Sequence, residues 1–172
     1  SSGDDSSMEP PSICTIGDLI LDVVVLPDGP LAADGDTPAT IRVLAGGQAA
    51  NVAAWVVELG GAARCIAKRA DDAAGELARS LLEARGVELV GPRVEGSTGI
   101  VVALVAEDGE RTMATDRGVS TGLRKDEVEP GWFEGCEWLH LSGYALLAEP
   151  IAEAALAAAR LARGRGAGIA VD

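Results

Sequence analysis

Short apolar runs alternate in this chain with alanine-rich runs of helical period, and this alternation limits the folds that the chain can adopt. The apolar runs that favour buried strands are residues 13–26, 62–67, 87–90, 137–142 and 167–171. The runs that favour helices are residues 48–59, 73–85 and 149–163. Strands that alternate with helices pair in parallel through crossover connections. The sequence therefore predicts an α/β domain built on a parallel sheet.

One segment departs from this alternation. Residues 98–106 and 111–115 are rich in β-forming residues, and they flank Glu107-Asp108-Gly109-Glu110. An Asp-Gly pair between two such runs predicts a β-hairpin. Because the hairpin has no place in a parallel sheet, we expect it to form, with residues 40–44, a small β layer over one end of the main sheet.

Composition and charge exclude several classes of function. The 172 residues include 14 Lys and Arg against 27 Asp and Glu, and the net charge of −13 repels nucleic acids and anionic membranes. The three cysteines have the spacing of neither a disulfide framework nor a zinc site. Residues 1–12 lack the pattern of a secretion signal and favour a flexible tail, and no apolar run is long enough to span a bilayer. We therefore expect a cytoplasmic protein without a nucleic-acid partner, a membrane partner or a metal site.

The segment Ala45-Gly46-Gly47-Gln48-Ala49-Ala50-Asn51 leads from a β run into a predicted helix. Glycine allows the backbone to approach a small molecule closely, and the free N–H groups of a first helical turn are hydrogen-bond donors. Asn51 adds a side-chain amide. The segment is typical of a ligand site at a helix start, although a simple turn followed by a surface amide fits the same residues.

A nucleotide-binding loop of a common type is not found. Gly164-Arg165-Gly166-Ala167-Gly168 has glycines at suggestive positions, but it follows a predicted helix and precedes a predicted strand, which is the wrong context for a dinucleotide fingerprint. No Walker-type loop follows a strand. An unrelated nucleotide-binding α/β domain is therefore the least favoured interpretation.

Several segments together resemble the ribokinase-like, or PfkB, family of carbohydrate kinases. The family's first strand resembles Gly17-Asp18-Leu19-Ile20-Leu21-Asp22, and its first signature resembles Gly46-Gly47-Gln48-Ala49-Ala50-Asn51. Its Gly-x-Asp-x-x-Gly segment resembles residues 70–75, with Ala70 in place of the first glycine. Its β lid resembles Thr98-Gly99 with residues 108–111, and its strand end near the substrate resembles His140-Leu141-Ser142-Gly143-Tyr144.

The resemblance implies a three-layer α/β/α fold with a small β-sheet lid. Residues 13–172 would be the N-terminal part of the kinase domain, with lid segments near residues 38–46 and 97–118. A carboxylate and an amide on rigid elements suit sugar hydroxyls, which both donate and accept hydrogen bonds. The substrate-binding residues that the resemblance implies are Asp22, Gly46, Gly47, Asn51, Thr98, Arg111 and Ser142.

The implied activity is transfer of a phosphoryl group from ATP, with Mg²⁺, to a hydroxymethyl group of a sugar or nucleoside. The family's second signature, a Gly-Ala-Gly-Asp that carries the catalytic base, does not occur in this sequence. We therefore expect the base and most of the ATP pocket to lie beyond Asp172, and the chain alone to be inactive. A homodimer through the lid is also implied. The alternative is a catalytically silent sugar- or nucleoside-binding protein of the same fold.

Three further side chains have competing interpretations. Arg111 would approach the substrate from the lid, or would pair with Glu107 or Glu110 across the turn. Arg117, near the return from the lid, would steer an anionic substrate. His140, the only histidine, lies within an apolar strand and favours a packed residue over a catalytic base.

Overall fold

The computed structural model describes residues 12–172, so the predicted tail over residues 1–12 lies almost entirely outside the described residues. The strands are β1 (Ile13–Ile16), β2 (Ile20–Pro27), β3 (Ala39–Gly46), β4 (Ala63–Ile66), β5 (Arg69–Ala70), β6 (Glu88–Val90), β7 (Arg93–Val94), β8 (Thr98–Val105), β9 (Arg111–Gly118), β10 (Trp138–Leu141) and β11 (Gly168–Val171). The α-helices are α1 (Gln48–Glu58), α2 (Ala73–Glu83) and α3 (Ile151–Gly164).

Five parallel strands form the main sheet, in the order β11-β10-β1-β4-β6. Helices α1 and α2 cover one face, where alanines of both helices pack with Cys65 and Val87. Helix α3 covers the other face, where its alanines pack with Ile16, Ile66 and Leu139. The prediction of a three-layer α/β/α arrangement is confirmed.

The alanine-rich composition of the helices has a direct structural use. In α1 the buried positions are Ala49, Ala50, Ala53 and Ala54, and the buried face of α3 is likewise mostly alanine. Small side chains let the helix axis approach the sheet closely, so backbone groups come within reach of sheet side chains. Thr15, on the central strand β1, donates its hydroxyl to the Ala49 carbonyl at 2.9 Å.

The second sheet, here called the outer sheet, has four strands in the order β3-β2-β8-β9. Strands β2 and β8 pair in parallel at its centre, and β3 and β9 pair antiparallel at its edges. Strands β8 and β9 form the predicted hairpin, in which Gly109 donates its N–H to the Ala106 carbonyl at 2.9 Å. The prediction of a hairpin at Asp108-Gly109 is confirmed.

The prediction of one buried strand over residues 13–26 is wrong. The run divides at residues 17–19: β1 belongs to the main sheet, and β2 belongs to the outer sheet. The middle of β2 is only partly buried, because the outer sheet extends beyond the helices that cover the main sheet. Asp22 is consequently the third residue of β2, and it does not close the first strand of the main sheet.

Short 3-10 helices occupy Val119–Gly122, Lys125–Glu127, Pro130–Phe133 and Gly143–Leu147. They carry the chain from β9 to β10 and from β10 towards α3. Among residues 12–172, none of the helices combines the length and the apolar character that crossing a bilayer requires.

Candidate functional site

Three neighbouring strands of the main sheet end side by side, and the residues that follow them line one edge of the sheet. Gly17 and Asp18 follow β1, Ser142 and Gly143 follow β10, and Asp172 follows β11. In open parallel sheets, ligands bind outside the carboxyl ends of the strands. The start of α1 and the outer sheet both reach this edge, so the edge is the candidate site.

Asp18 joins the two sheets electrostatically at this edge. Its carboxylate forms an ion pair with Arg117, at the end of β9 in the outer sheet, and only 8% of the Asp18 side chain is exposed. Burial raises the pKa of Asp18, while the charge and hydrogen bond of Arg117 act in the opposite direction. The Arg117 guanidinium also lies 5.5 Å from the centre of the Tyr144 ring, within the range of a cation–π contact. Arg117 therefore links the outer sheet to two parts of the main domain.

Two glycines at the end of β3 allow unusually close packing. Gly47 has a φ of +95°, and a Cβ built on it would lie 2.3 Å from the Asp18 carbonyl oxygen. A Cβ on Gly46 would lie 2.2 Å from Oδ2 of Asp22. The Asp22 carboxylate therefore rests directly on the Gly46 backbone, and α1 begins in the space that two missing side chains leave.

Among the described residues, the Asp22 carboxylate differs from its neighbours because its side chain has no protein partner. Asp18 bonds Arg117, Asp72 accepts the Gly75 N–H, and Asp172 accepts the Gly143 N–H. Within residues 12–172, no hydrogen bond or ion pair reaches the side chain of Asp22, and burial raises its pKa. A partly desolvated carboxylate with unused acceptor positions suits a ligand that brings O–H donors.

The first turns of α1 carry two amide side chains, and that of Gln48 reaches the same edge. Asn51 is exposed, and within residues 12–172 its side chain has no hydrogen-bond partner. One turn earlier, Gln48 donates its amide to Asp172 and accepts a hydrogen bond from the Ser142 hydroxyl at 3.3 Å. Ser142 is 1% exposed, so its hydroxyl is used to orient Gln48.

A cleft of about 350 Å³ opens beside Gln48, and its lining does not include Asp22, Gly46, Gly47 or Asn51. Asp172 forms part of its wall, held by the Gly143 N–H at 2.6 Å, and Nε2 of His140 lies 3.5 Å from the Asp172 carboxylate. The lining residues are Gln48, Gly143, Tyr144, Leu147 and Asp172. This volume is sufficient for a ligand the size of a monosaccharide.

Two of the predicted substrate-binding residues lie elsewhere. The Thr98 hydroxyl donates to Asp72 at 2.6 Å and its N–H donates to the same carboxylate, so Thr98 fixes the start of α2. Arg111 is exposed at the hairpin end of β9, opposite Val105. Near that end is a cavity of about 530 Å³, larger than the cleft but lined by none of the glycine, amide or strand-end residues of the candidate site.

The structure thus brings five predicted site residues together and separates two. Those together are Asp22, Gly46, Gly47, Asn51 and Ser142, and those apart are Thr98 and Arg111. Sequence reasoning did not assign Asp18, Gln48 or Asp172 to the site. Gln48 lies inside the glycine signature and could have been found there. Asp18 and Asp172 depend on partners 99 and 124 residues away, for which the sequence holds no local signal.

No group of three His, Cys, Asp or Glu side chains in residues 12–172 is arranged to hold a metal ion.

The family described as pfkB family carbohydrate kinase matches residues 10–169 of the chain. This chain belongs to that family. Probable fructokinase-4 of Arabidopsis thaliana is 30% identical to this pfkB-family chain, over 97% of the chain and 52% of the relative. An ATP-dependent ribose-1-phosphate kinase of Halopiger xanaduensis is 33% identical, over 76% of the chain and 45% of the relative. The chain spans about half the length of these curated relatives.

Solved structures show the same relationship. The adenosine kinase from Sinorhizobium meliloti matches this pfkB-family chain with a TM-score of 0.78 and 29% identity, over 93% of the chain and 55% of that structure. A putative ribokinase II from E. coli, solved in complex with ATP and Mg²⁺, matches with a TM-score of 0.78 and 21% identity, over 95% and 53%. At the lower identity the likeness concerns the fold alone. The fold is a ribokinase-like α/β fold.

Proposed function

We propose that this chain is the acceptor-binding half of an ATP-dependent kinase that phosphorylates the hydroxymethyl group of a sugar or nucleoside. Family membership supports the reaction class, and the names of the relatives include a fructokinase, a ribose-1-phosphate kinase and an adenosine kinase. Because the chain spans about half of its relatives, the activity of the whole protein goes beyond what these residues alone provide.

The observation that carries this proposal is the unpartnered carboxylate of Asp22. It rests on Gly46, while the unpartnered amide of Asn51 projects from the first turns of α1. An ionised carboxylate only accepts hydrogen bonds, and an amide both donates and accepts, so together they fit adjacent hydroxyls of a sugar ring. Gly46 and Gly47 would let Asp22 and the start of α1 lie close enough together to contact one ring.

The remaining residues of the edge would position the acceptor. Gln48 is fixed by Ser142 on one side and Asp172 on the other, so it would form a rigid wall of the cleft. Arg117 would hold the outer sheet against the main domain through Asp18, which limits access of water to the acceptor hydroxyl.

ATP would supply the phosphoryl group, and Mg²⁺ would shield its charge. The residues described here include no metal cluster, and we assign neither the catalytic base nor the ATP pocket to them. We therefore propose that the 172-residue chain binds the acceptor without phosphorylating it.

The binding test is titration calorimetry of the chain with sugars, nucleosides and sugar phosphates, using wild type, Asn51→Ala and Glu58→Gln. Glu58 is an exposed residue at the far end of the same helix, so its variant is the matched control. We expect one class of ligand to bind, Asn51→Ala to weaken that binding at least about tenfold, and Glu58→Gln to leave it unchanged. Equal affinities for all three proteins would refute the assigned site.

The activity test is ADP release by the chain extended to the length of its relatives, with Mg-ATP and the same ligands. Turnover that falls sharply in Asn51→Ala would support the kinase. Binding without turnover in the extended protein would instead support the alternative function, a silent sugar- or nucleoside-binding protein.

We further propose that two copies of the chain pair through the outer sheet. Val23, Val25, Ile41, Val43 and Leu104 project from one face of β2, β3 and β8, since Val25 lies opposite both Ile41 and Leu104 and Val23 lies opposite Val43. Ile41 is 60% exposed. A contiguous apolar face of this kind is typical of a surface that a second copy covers.

Sedimentation velocity tests this pairing. Ile41→Glu places a charge in the apolar face, and Thr40→Glu places the same charge on the opposite face of the same strand. We expect the first variant to be monomeric and the second to remain dimeric. A wild-type chain that is monomeric at micromolar concentration would contradict the proposal.

A further inference from the structure

The side chains of the outer sheet divide into two faces, and the pairing of the strands shows which residues belong to each. Successive side chains of a strand point to opposite faces of its sheet. Leu21 lies opposite Ala45 on β3 and Ile100 on β8, and all three pack with α1 and α2. Asp22, the next residue of β2, therefore points to the other face, which is here called the inner face.

The residues of the inner face form rows that run across the sheet. Two neighbouring rows are Leu44, Asp22 and Val101, and then Arg42, Val24 and Ala103. Arg42 is therefore on the same face as Asp22, one row further from the main domain. Arg111 also belongs to this face, but it lies on the opposite edge strand, at the hairpin end of β9.

The inner face looks towards the candidate site, as the position of Arg117 shows. Arg117 follows Asp116, which lies opposite Ile100, so the side chain of Arg117 points to the inner face. Its guanidinium pairs with Asp18 at the strand-end edge and contacts the ring of Tyr144, which lines the cleft. A ligand bound at this edge would therefore lie next to the inner face.

Arg42 is placed to reach a ligand that Asp22 also contacts. It lies opposite Val24, two residues along β2 from Asp22, so Arg42 and Asp22 are diagonal neighbours in the antiparallel pair. The Cα atoms of diagonal neighbours are about 7–8 Å apart, a separation that long side chains can span. Val24 and Leu44 occupy the other two corners of this square, so an aliphatic surface lies between the carboxylate and the guanidinium.

The charge of Arg42 is not used by the described part of the chain. Arg42 is exposed, and within residues 12–172 no carboxylate pairs with it. Acidic residues outnumber basic ones, 27 to 14, and Arg64, Lys68 and Arg117 each have a carboxylate partner. A guanidinium without such a partner keeps its five N–H donors for solvent or for a ligand. Arg42 therefore offers the candidate site a positive charge.

We propose that Arg42 is a specificity-determining residue, which selects an acceptor that carries a phosphate or a carboxylate in addition to its hydroxyls. This inference rests on the proposed function and names the class of substrate. A hydroxyl of the sugar would donate to Asp22, its carbon skeleton would lie over Val24 and Leu44, and its anionic group would bind Arg42. The planar guanidinium suits this role because it forms two parallel hydrogen bonds with either anion.

The test is titration calorimetry of the chain with pairs of ligands that differ in one anionic group and keep a free hydroxymethyl group. The pairs are ribose and ribose 1-phosphate, fructose and fructose 6-phosphate, and glucose and gluconate. We expect wild type to bind the anionic member of one pair at least about tenfold more tightly than its neutral parent. Phosphate and carboxylate are distinguished by which pair shows the preference.

Three variants assign the preference to one side chain. Arg42→Gln should abolish the preference and leave the affinity for the neutral parent unchanged, whereas Arg42→Lys should keep part of it. Arg111→Gln is the matched control, because it removes the same charge from another arginine of the inner face. We expect Arg111→Gln to retain the preference in full.

Several outcomes would overturn the proposal. They are equal affinities within every pair, a preference that persists in Arg42→Gln, a preference that Arg111→Gln also abolishes, and inorganic phosphate that binds as tightly as the sugar phosphate. A neutral sugar that binds wild type, loses affinity in Asn51→Ala and shows no preference for its anionic partner would refute the role of Arg42 alone. Absence of binding by every ligand would refute the proposed function as well.

Discussion

Replacing Gly47 with alanine separates two costs that the structure predicts at the start of α1. The first is conformational, because φ is +95° and ψ is 142° at this residue, a region that is almost exclusive to glycine. Holding an alanine there costs about 1–3 kcal/mol. The second is steric, because the new Cβ would lie 2.3 Å from the Asp18 carbonyl oxygen. Overpacking of this kind costs about 1–3 kcal/mol, so we expect Gly47→Ala to lower the free energy of unfolding by about 2–6 kcal/mol in total.

Gly60 is the matched control because it has a similar φ of +91°, and no atom of residues 12–172 lies within 4 Å of the position that a Cβ would take. Gly60→Ala therefore carries only the conformational cost, about 1–2 kcal/mol. Urea unfolding followed by tryptophan fluorescence measures both losses, provided that the dependence on urea is the same for each variant. The difference between the two variants estimates the steric cost at Asp18.

Equal losses for Gly47→Ala and Gly60→Ala would refute this reasoning. Such a result would mean that the β1–β2 junction moves away from a new side chain at no cost, and that the close packing of Gly47 on Asp18 has no energetic consequence. Calorimetry on the same variants extends the test to the site, since a displaced junction would also displace the Asp22 carboxylate.

Three further substitutions test individual contacts. Asp22→Asn should raise Tm because it removes a desolvated carboxylate, and it should weaken acceptor binding about tenfold to a hundredfold because the ligand would use that carboxylate. An unchanged affinity by calorimetry would exclude the carboxylate from the site. Arg117→Ala should lower the free energy of unfolding by about 1–3 kcal/mol at pH 7 and by less at pH 4, because burial raises the pKa of Asp18 and the protonated carboxyl tolerates the loss of the cation. Equal losses at the two pH values in urea unfolding would contradict this account. Asp72→Ala should lower the free energy of unfolding by about 1–3 kcal/mol, because it removes the N-cap of α2 and leaves the Thr98 hydroxyl unpaired. A loss below about 0.5 kcal/mol in the same assay would contradict this account.

Local patterns in the sequence predicted most of the elements. All three α-helices and the β8–β9 hairpin were located from periodicity and turn residues. The run over residues 13–26 was misread because a change of sheet needs only three residues here. Apolar residues on both sides of Gly17 and Asp18 give the pattern of one strand, and only tertiary pairing assigns them to two sheets.

The site was predictable where its residues are neighbours in the sequence. Gly46, Gly47 and Asn51 form one segment, so their position at a helix start follows from the local pattern. The contacts of Asp18 with Arg117 and of Gln48 with Asp172 join elements that are far apart in the chain. Such contacts depend on how strands are ordered in the sheets, and a single sequence does not contain that information.

The order of strands in the main sheet also bears on how the protein is made. The central strand β1 has both of its neighbours, β4 and β10, later in the chain, and Ile13 pairs with Trp138 across 125 residues. At about 5–20 residues per second, a ribosome would add Trp138 roughly 6–25 s after Ile13. During that interval one edge of an apolar strand has no partner, which favours association with chaperones or with other nascent chains. Synthesis rate and chaperone supply should therefore influence the yield of this protein.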